Sequence, residues 1–216
     1  MDMNSAKQNM LAAGRALVVF AIVSSTLVGL TYMMTKDRIS ANERQALLDS
    51  LSVLVSSDMH DNDLLKDKLE LVSPELSYHG KPVTIYRARK GHKDVAAIFD
   101  VIAPDGYNGP IRLLVAIDDS AQIIGVRVVR QNETPGLGDN IEIEKSNWLH
   151  EFDRRSLMDP LEKLWHVKKD GGIFDQFSGA TITPRAVVKA VHKTLRYFMQ
   201  NKKEIFASPG GNQYGK

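Results

Sequence analysis

From Leu17 to Met34 the chain reads Leu-Val-Val-Phe-Ala-Ile-Val-Ser-Ser-Thr-Leu-Val-Gly-Leu-Thr-Tyr-Met-Met, uncharged and bracketed by Arg15 and Lys36. Its length is close to the roughly 20 residues an α-helix needs to cross a bilayer. A cleaved leader would have a shorter apolar core and a small-residue cleavage site. Tyr32-Met33-Met34-Thr35-Lys36 offers no such site. The pattern predicts a retained transmembrane helix at residues 17–34 behind a short tail, residues 1–16. A helical connector, residues 35–63, follows. Within it Leu47, Leu48, Leu51, Leu54 and Val55 recur at three- and four-residue steps, so Ser40 to Ser56 reads as helix, either continuing the span or following a short break. Asp58 to Asp63 holds three Asp, but without the glycine and terminal Glu of a calcium loop it is a solvated turn.

Beyond the connector strands dominate. Pro82–Ala88, Val95–Ile102, Ile111–Ile117 and Gln122–Val129 are rich in Val and Ile and read as strands. Asp118-Asp119-Ser120-Ala121 joins the last two as a hairpin, and Asp105-Gly106-Tyr107-Asn108-Gly109-Pro110 breaks the chain before the third. The last periodic segment, Pro184 to about Lys203, is an amphipathic helix. Val187, Val191, Leu195 and Phe198 form its apolar stripe, and Arg185, Lys189, Lys193 and Arg196 repeat that spacing on another face. The basic row is either a solvated face or a contact for anionic lipid or an acidic partner. From residue 207 the chain is expected to be a disordered tail. The fold class is α+β: one membrane helix, then one domain with a mainly antiparallel sheet flanked by helices.

The segment before that helix reads Asp175-Gln176-Phe177-Ser178-Gly179-Ala180-Thr181, with Thr183-Pro184 next. Gly179 and Ala180 leave room for a bulky group beside the Thr181 hydroxyl. Thr183 can cap the helix with Pro184 at its first position. A phosphate on Thr181 would then lie near the positive end of a helix dipole. By itself this is a turn and a cap. Upstream, Glu133-Thr134-Pro135-Gly136-Leu137-Gly138 follows the hairpin. Pro135 fixes one dihedral, and Gly136 and Gly138 allow positive ones, so the backbone can turn tightly against a flat ligand. Alone it is a structural loop, and its two glycines lack the third of a dinucleotide fingerprint.

Together, D-x-x-S-G-A-T and E-T-P-G-L-G resemble the FMN-binding domain of membrane redox complexes. The likeness is greatest to the G-subunit family of Rnf (Rsx) electron-transport complexes, and the C subunit of the sodium-pumping NADH:quinone oxidoreductase is the related alternative. The resemblance implies that residues 64–206 form the FMN-binding domain. It implies that Thr181 carries FMN as a phosphoester and that Ser178, Gly179 and Ala180 shape the attachment loop. Asp175 would serve the flavin transferase that installs the cofactor. Glu133, Thr134, Gly136 and Leu137 would wall the flavin, with Glu133 placing a negative charge or an acceptor near the ring. Trp148, Phe152 and Trp165 either stack on that ring or pack the core. The implied partners are the other membrane subunits, the transferase and membrane lipid, with no nucleic acid. The implied location is a bacterial inner membrane, single-pass, with the bulk of the chain periplasmic.

Composition narrows the chemistry further. The chain has no cysteine, which excludes disulfides, iron–sulfur ligation and thiol catalysis. Its six His show no metal-ligand spacing, and a net charge of +2 gives no reason to invoke nucleic acid. No Ser–His–Asp set points to an enzyme acting alone, so an electron-carrying subunit is expected. A membrane-anchored scaffold without cofactor is the reading from a different class. Charge opposes the implied orientation: Lys7 and Arg15 precede the span, while Lys36, Arg38 and Arg44 follow it. That count leans toward a cytoplasmic domain.

Overall fold

The Val- and Ile-rich runs fold into an antiparallel meander because alternating side chains give each strand two usable faces. In this computed structural model, which describes residues 3–207, the strands are β1 (Lys68–Leu71), β2 (Val83–Lys90), β3 (Lys93–Ala103), β4 (Ile111–Asp118) and β5 (Ile123–Arg130). They pair in the order β1-β2-β3-β4-β5, each antiparallel to the next. β1 has no counterpart in the sequence reading. Its four residues, Lys-Leu-Glu-Leu, are too few to show a period and half of them are poor strand formers.

Register places Ile85, Phe99 and Val115 side by side across β2, β3 and β4. With Ala97, Val101, Leu113 and Ile117 they make one buried face. The final helix, α2 (Ile182–Ala207), lays Val187, Val191, Leu195 and Phe198 into the same core. Phe198 meets Phe99 edge-on at 6.2 Å between ring centres. Full burial of each aliphatic or aromatic side chain stabilises by about 1.5–3 kcal/mol, so this stripe fixes the helix on the sheet. Trp148, Phe152, Trp165 and Phe174 are buried in the same cluster. Of the two roles open to the first three, core packing is the one the fold gives them.

Helix α1 runs without interruption over Met3–Leu54, so the apolar run and the connector helix are one element. The chain divides into two units between Leu47 and Leu48. In the first, α1 is long and apolar enough to cross a membrane, and its large apolar side chains from Leu17 to Met34 are exposed. The second unit begins with the last turns of α1, where Leu51, Leu54 and Val55 are buried, in keeping with their spacing. They serve the sheet's other face. A Cβ on Gly125 of β5 would come within 3.0 Å of Leu54 Cδ2. The expectation for the tail concerns residues 208–216, outside those described, and Ala207 itself closes α2.

Most of the basic row on α2 is used internally. Arg185 forks onto Asp170 at 2.6 and 2.8 Å, Lys189 reaches Asp105 at 2.6 Å, and Arg196 faces Glu162 at 3.4 Å. On the same helix, His192 stacks on Trp165 with ring centres 5.4 Å apart. Burial pushes its imidazole below the ordinary value; Glu162 opposes the shift, while Arg196 and His166 add to it. A group with a depressed folded-state value contributes stability above its unfolded value and loses it as pH falls through the folded one. The melting temperature of the full chain in detergent should therefore drop on acidification below the ordinary histidine range. His192→Phe, which keeps the stack, should flatten part of that drop; an unchanged pH profile would remove His192 as a cause.

Candidate functional site

Two glycine turns face each other at one end of the sheet. In the first, the Leu137 N–H donates to the Thr134 carbonyl at 3.1 Å, with Pro135 and Gly136 between and Gly136 at φ +76°. Pro then a positive-φ Gly is the composition of a type II turn. In the second, the Ala180 N–H donates to the Phe177 carbonyl at 3.1 Å across Ser178 and Gly179, with Gly179 at φ +79°. The turns approach closely: a Cβ on Gly179 would stand 3.7 Å from Leu137 Cδ2. Between them lies a cleft of about 310 Å³ lined by residues of both turns, by Tyr107 and by the start of α2.

Among the residues singled out in the sequence, Glu133, Thr134, Leu137, Gly179, Ala180 and Thr181 line this cleft. Gly136 shapes a wall through its turn. Ser178 is exposed outside the lining, and Asp175 is exposed and ion-paired with Lys168. The aromatic core holds the approach to the second turn. Trp148 Nε1 donates to the Asp175 carbonyl at 2.8 Å, and its ring meets Phe177 at 5.4 Å. The Asp175 N–H donates to Glu151 Oε2 at 2.9 Å. Burial pushes the Glu151 carboxyl above its usual range, and the neighbouring Asp175 charge acts in the same direction.

The start of α2 differs from the sequence reading. The helix begins at Ile182, so Thr181 takes the capping position and Pro184 is the third residue of the first turn. The Thr181 carbonyl accepts the Arg185 N–H at 3.3 Å. Pro184 has no N–H to leave unpaired, which makes the first turn a tolerable place for it. Thr183 is fully buried and donates its hydroxyl to Glu133 Oε2 at 2.5 Å. Gly138 also has another role than the one expected. A Cβ there would fall 2.7 Å from Glu133 Oε2 and 2.8 Å from Thr183 Oγ1, so this glycine supplies space rather than a positive φ.

A sequence model of the FMN-binding domain matches residues 106–196. One of the RnfG N-terminal region matches residues 1–54. The G subunit of the ion-translocating oxidoreductase complex from Pseudomonas aeruginosa is 45% identical over 201 residues, covering 93% of this chain and 94% of that protein. Its counterpart from Shewanella baltica is 43% identical over 203 residues, covering 94% and 96%. That from Vibrio parahaemolyticus is 42% identical over 205 residues, covering 93% and 96%. This chain belongs to the G-subunit family. Of the two related complexes its motifs left open, the Rnf type is therefore the one its sequence matches.

The cleft fits a flavin mononucleotide in size and in chemistry. Its volume is at the lower end of the roughly 300–1,000 Å³ of small-molecule pockets. Tyr107, Leu137 and Ile182 present exposed apolar surface around it, suited to a flat ring. Thr181 sits where the first N–H groups of a long helix lack intrahelical partners, suited to a phosphate. The sequence reading missed Tyr107, Ile182 and Thr183 as cleft residues, and it placed Gly138 in the ligand-facing loop for a positive φ that it does not take. Two signals were available. Gly106 and Gly109 flank Tyr107-Asn108, and Ile182 is an apolar residue outside the helix's buried stripe.

Proposed function

We propose that this chain is a membrane-anchored flavoprotein subunit that carries FMN as a phosphoester on Thr181 and relays electrons within an ion-translocating oxidoreductase complex. The observation that carries the reading is the presentation of Thr181 into a cleft between two glycine turns, inside the segment matched by the FMN-binding domain. Bound FMN would supply the one- and two-electron chemistry. The chain's own residues would position it. The ester to Thr181 Oγ1 would retain the cofactor in the cleft, and the helix N-terminus would favour the phosphate charge. Of the neighbouring hydroxyls, Ser178 lies outside the cleft lining and Thr183 is buried with its proton committed to Glu133. Thr181 and Thr134 are both half-buried and line the cleft, and the place of Thr181 at the start of α2, within the Ser-Gly-Ala-Thr turn, favours it as the acceptor.

The partners of this reading are the other subunits of the complex, lipid around residues 17–34, and a flavin transferase that forms the ester during maturation. Asp175, exposed beside the turn, is available to that transferase. The test is the mass of the full chain purified from a host that supplies the transferase and an export route. An increment equal to one esterified FMN, on the peptide containing residues 175–185, supports the reading. An unmodified chain with only dissociable flavin refutes the ester.

We further propose that the domain after Met34 is periplasmic and the anchor single-pass in an inner membrane. The family resemblance supports this against the charge count, and long domains cross membranes largely regardless of flanking Lys and Arg. Alkaline phosphatase fused after Lys216 should be active, and green fluorescent protein exported as an unfolded chain to the same place should be dark. The opposite pattern would put the domain in the cytoplasm.

A further inference from the structure

Glu133 is only 5% exposed, yet it lies at the floor of an open cleft. A buried carboxyl is costly unless its oxygens are bonded, and here both are. Oε1 accepts the Asn108 N–H at 3.1 Å, and Oε2 accepts the Thr183 hydroxyl at 2.5 Å. Space for it is made by two glycines. A Cβ on Gly106 would stand 2.9 Å from Oε1, and one on Gly138 would stand 2.7 Å from Oε2. The Glu133 N–H is bonded in turn to the Gln131 side-chain oxygen. Gln131 Nε2 donates to Glu142 at 2.7 Å.

We infer that Glu133 and Thr183 form a clasp that positions the cleft. One carboxyl joins three separate walls: the turn carrying Tyr107, the loop carrying Thr134 and Leu137, and the first turn of α2, which Thr181 caps. These walls have no common strand or helix. Without the clasp each would keep its own local turn, and the helix's core stripe and the Lys189–Asp105 pair would still hold α2 to the sheet, but the fine spacing of the three walls would loosen. Reactions and binding that depend on alignment are sensitive to such drift, about a hundredfold for 1 Å. Glu133 is thus a positioning residue acting through Asn108 and Thr183. Its carboxyl oxygens face protein donors, which distinguishes this role from that of a charge aimed at the ring.

This inference rests on the flavin reading, and its test separates the two. Thr183→Val keeps the shape and the Glu133 charge but removes the donated proton; Thr183→Ser keeps the proton. In full-length protein exposed to transferase for a fixed time, Thr183→Val and Glu133→Gln should acquire covalent flavin about tenfold more slowly. The flavin they do acquire should show a shifted absorption and circular dichroism spectrum. Thr183→Ser should match the parent in both. Thr183→Val with parental labelling and spectrum overturns the clasp. So does a loss that Thr183→Ser fails to restore, or one that follows general unfolding reported by tryptophan fluorescence. If the parent itself acquires no flavin, the flavin reading fails rather than the clasp. Hydrogen exchange then decides the clasp alone: Thr183→Val should speed exchange at the Asn108 amide, and unchanged exchange there overturns it.

Discussion

Thr181→Val should abolish covalent flavin while leaving the fold in place. Valine has the branching and nearly the volume of threonine, so the capping residue keeps its backbone preference and the cleft keeps its wall. What disappears is Oγ1, the atom to which the phosphate would be joined. Valine is a poor helix cap, and the substitution should cost about 1 kcal/mol or less of stability. That is too little to unfold a domain whose core holds Trp148, Phe152, Trp165, Phe174 and Phe198. The measurement is flavin fluorescence on a denaturing gel, with protein made beside a flavin transferase. Parent and Ser178→Ala should fluoresce, Thr181→Ser should retain a band because the oxygen remains, and Thr181→Val should be dark. A fluorescent Thr181→Val band would move the attachment to another hydroxyl nearby, such as the exposed Ser178 or the cleft-lining Thr134. A dark parent under the same conditions would remove covalent attachment from the proposed function altogether.

What the sequence discloses and what it withholds follow from the range of the forces involved. β2 to β5 were legible because each is a run of seven or more residues rich in Val, Ile and other apolar residues and bounded by turn signals, a local signal of a buried strand. β1 was not, since a short edge strand is defined mainly by the neighbour it pairs with. The glycines of the two loops were visible, but not why each is there. Gly136 and Gly179 take positive φ, a local property. Gly138 makes room for the Glu133–Thr183 contact, a property set partly by a residue far along the chain, and Gly106 makes room for the Gly109 carbonyl as well as for Glu133. The Glu133–Thr183 contact spans 50 positions, and no local pattern announces it. The same long range displaced the helix start. Thr183-Pro184 is a sound local capping signal, but burial of Thr183 against Glu133 draws it inside the helix and leaves Thr181 at the end. The motif was therefore readable in sequence, and the cleft that gives it a geometry was not.

The second large effect lies away from the cleft, where the end of α2 is tied down. Arg87 has 0% side-chain exposure; it is ion-paired with Asp67 and donates to the Ile205 carbonyl at 3.1 Å. Arg89 pairs with the same Asp67 at 3.0 Å and donates to the Phe206 carbonyl at 2.8 Å. The two guanidinium groups thus satisfy the last carbonyls of α2, which have no partner within the helix. Asn62 adds a bond to Asp67 at 3.2 Å and one to the Arg87 carbonyl at 2.8 Å. Removing the two ends of the Arg87–Asp67 pair should have unequal effects. Asp67→Ala leaves a buried guanidinium without its carboxylate, and breaking a buried pair in this way costs about 3–5 kcal/mol. Arg87→Met takes the buried charge away with the side chain and leaves Asp67 with Arg89. It also removes the bond to the Ile205 carbonyl, a loss of about 1–2 kcal/mol. Both tryptophans are buried in this unit, so their fluorescence during urea unfolding of the detergent-solubilised full chain reports on it directly. Asp67→Ala should lower the unfolding midpoint by clearly more than Arg87→Met. An equal or reversed order would mean that Arg87 contributes through packing of its stem, with its charge satisfied by groups other than Asp67.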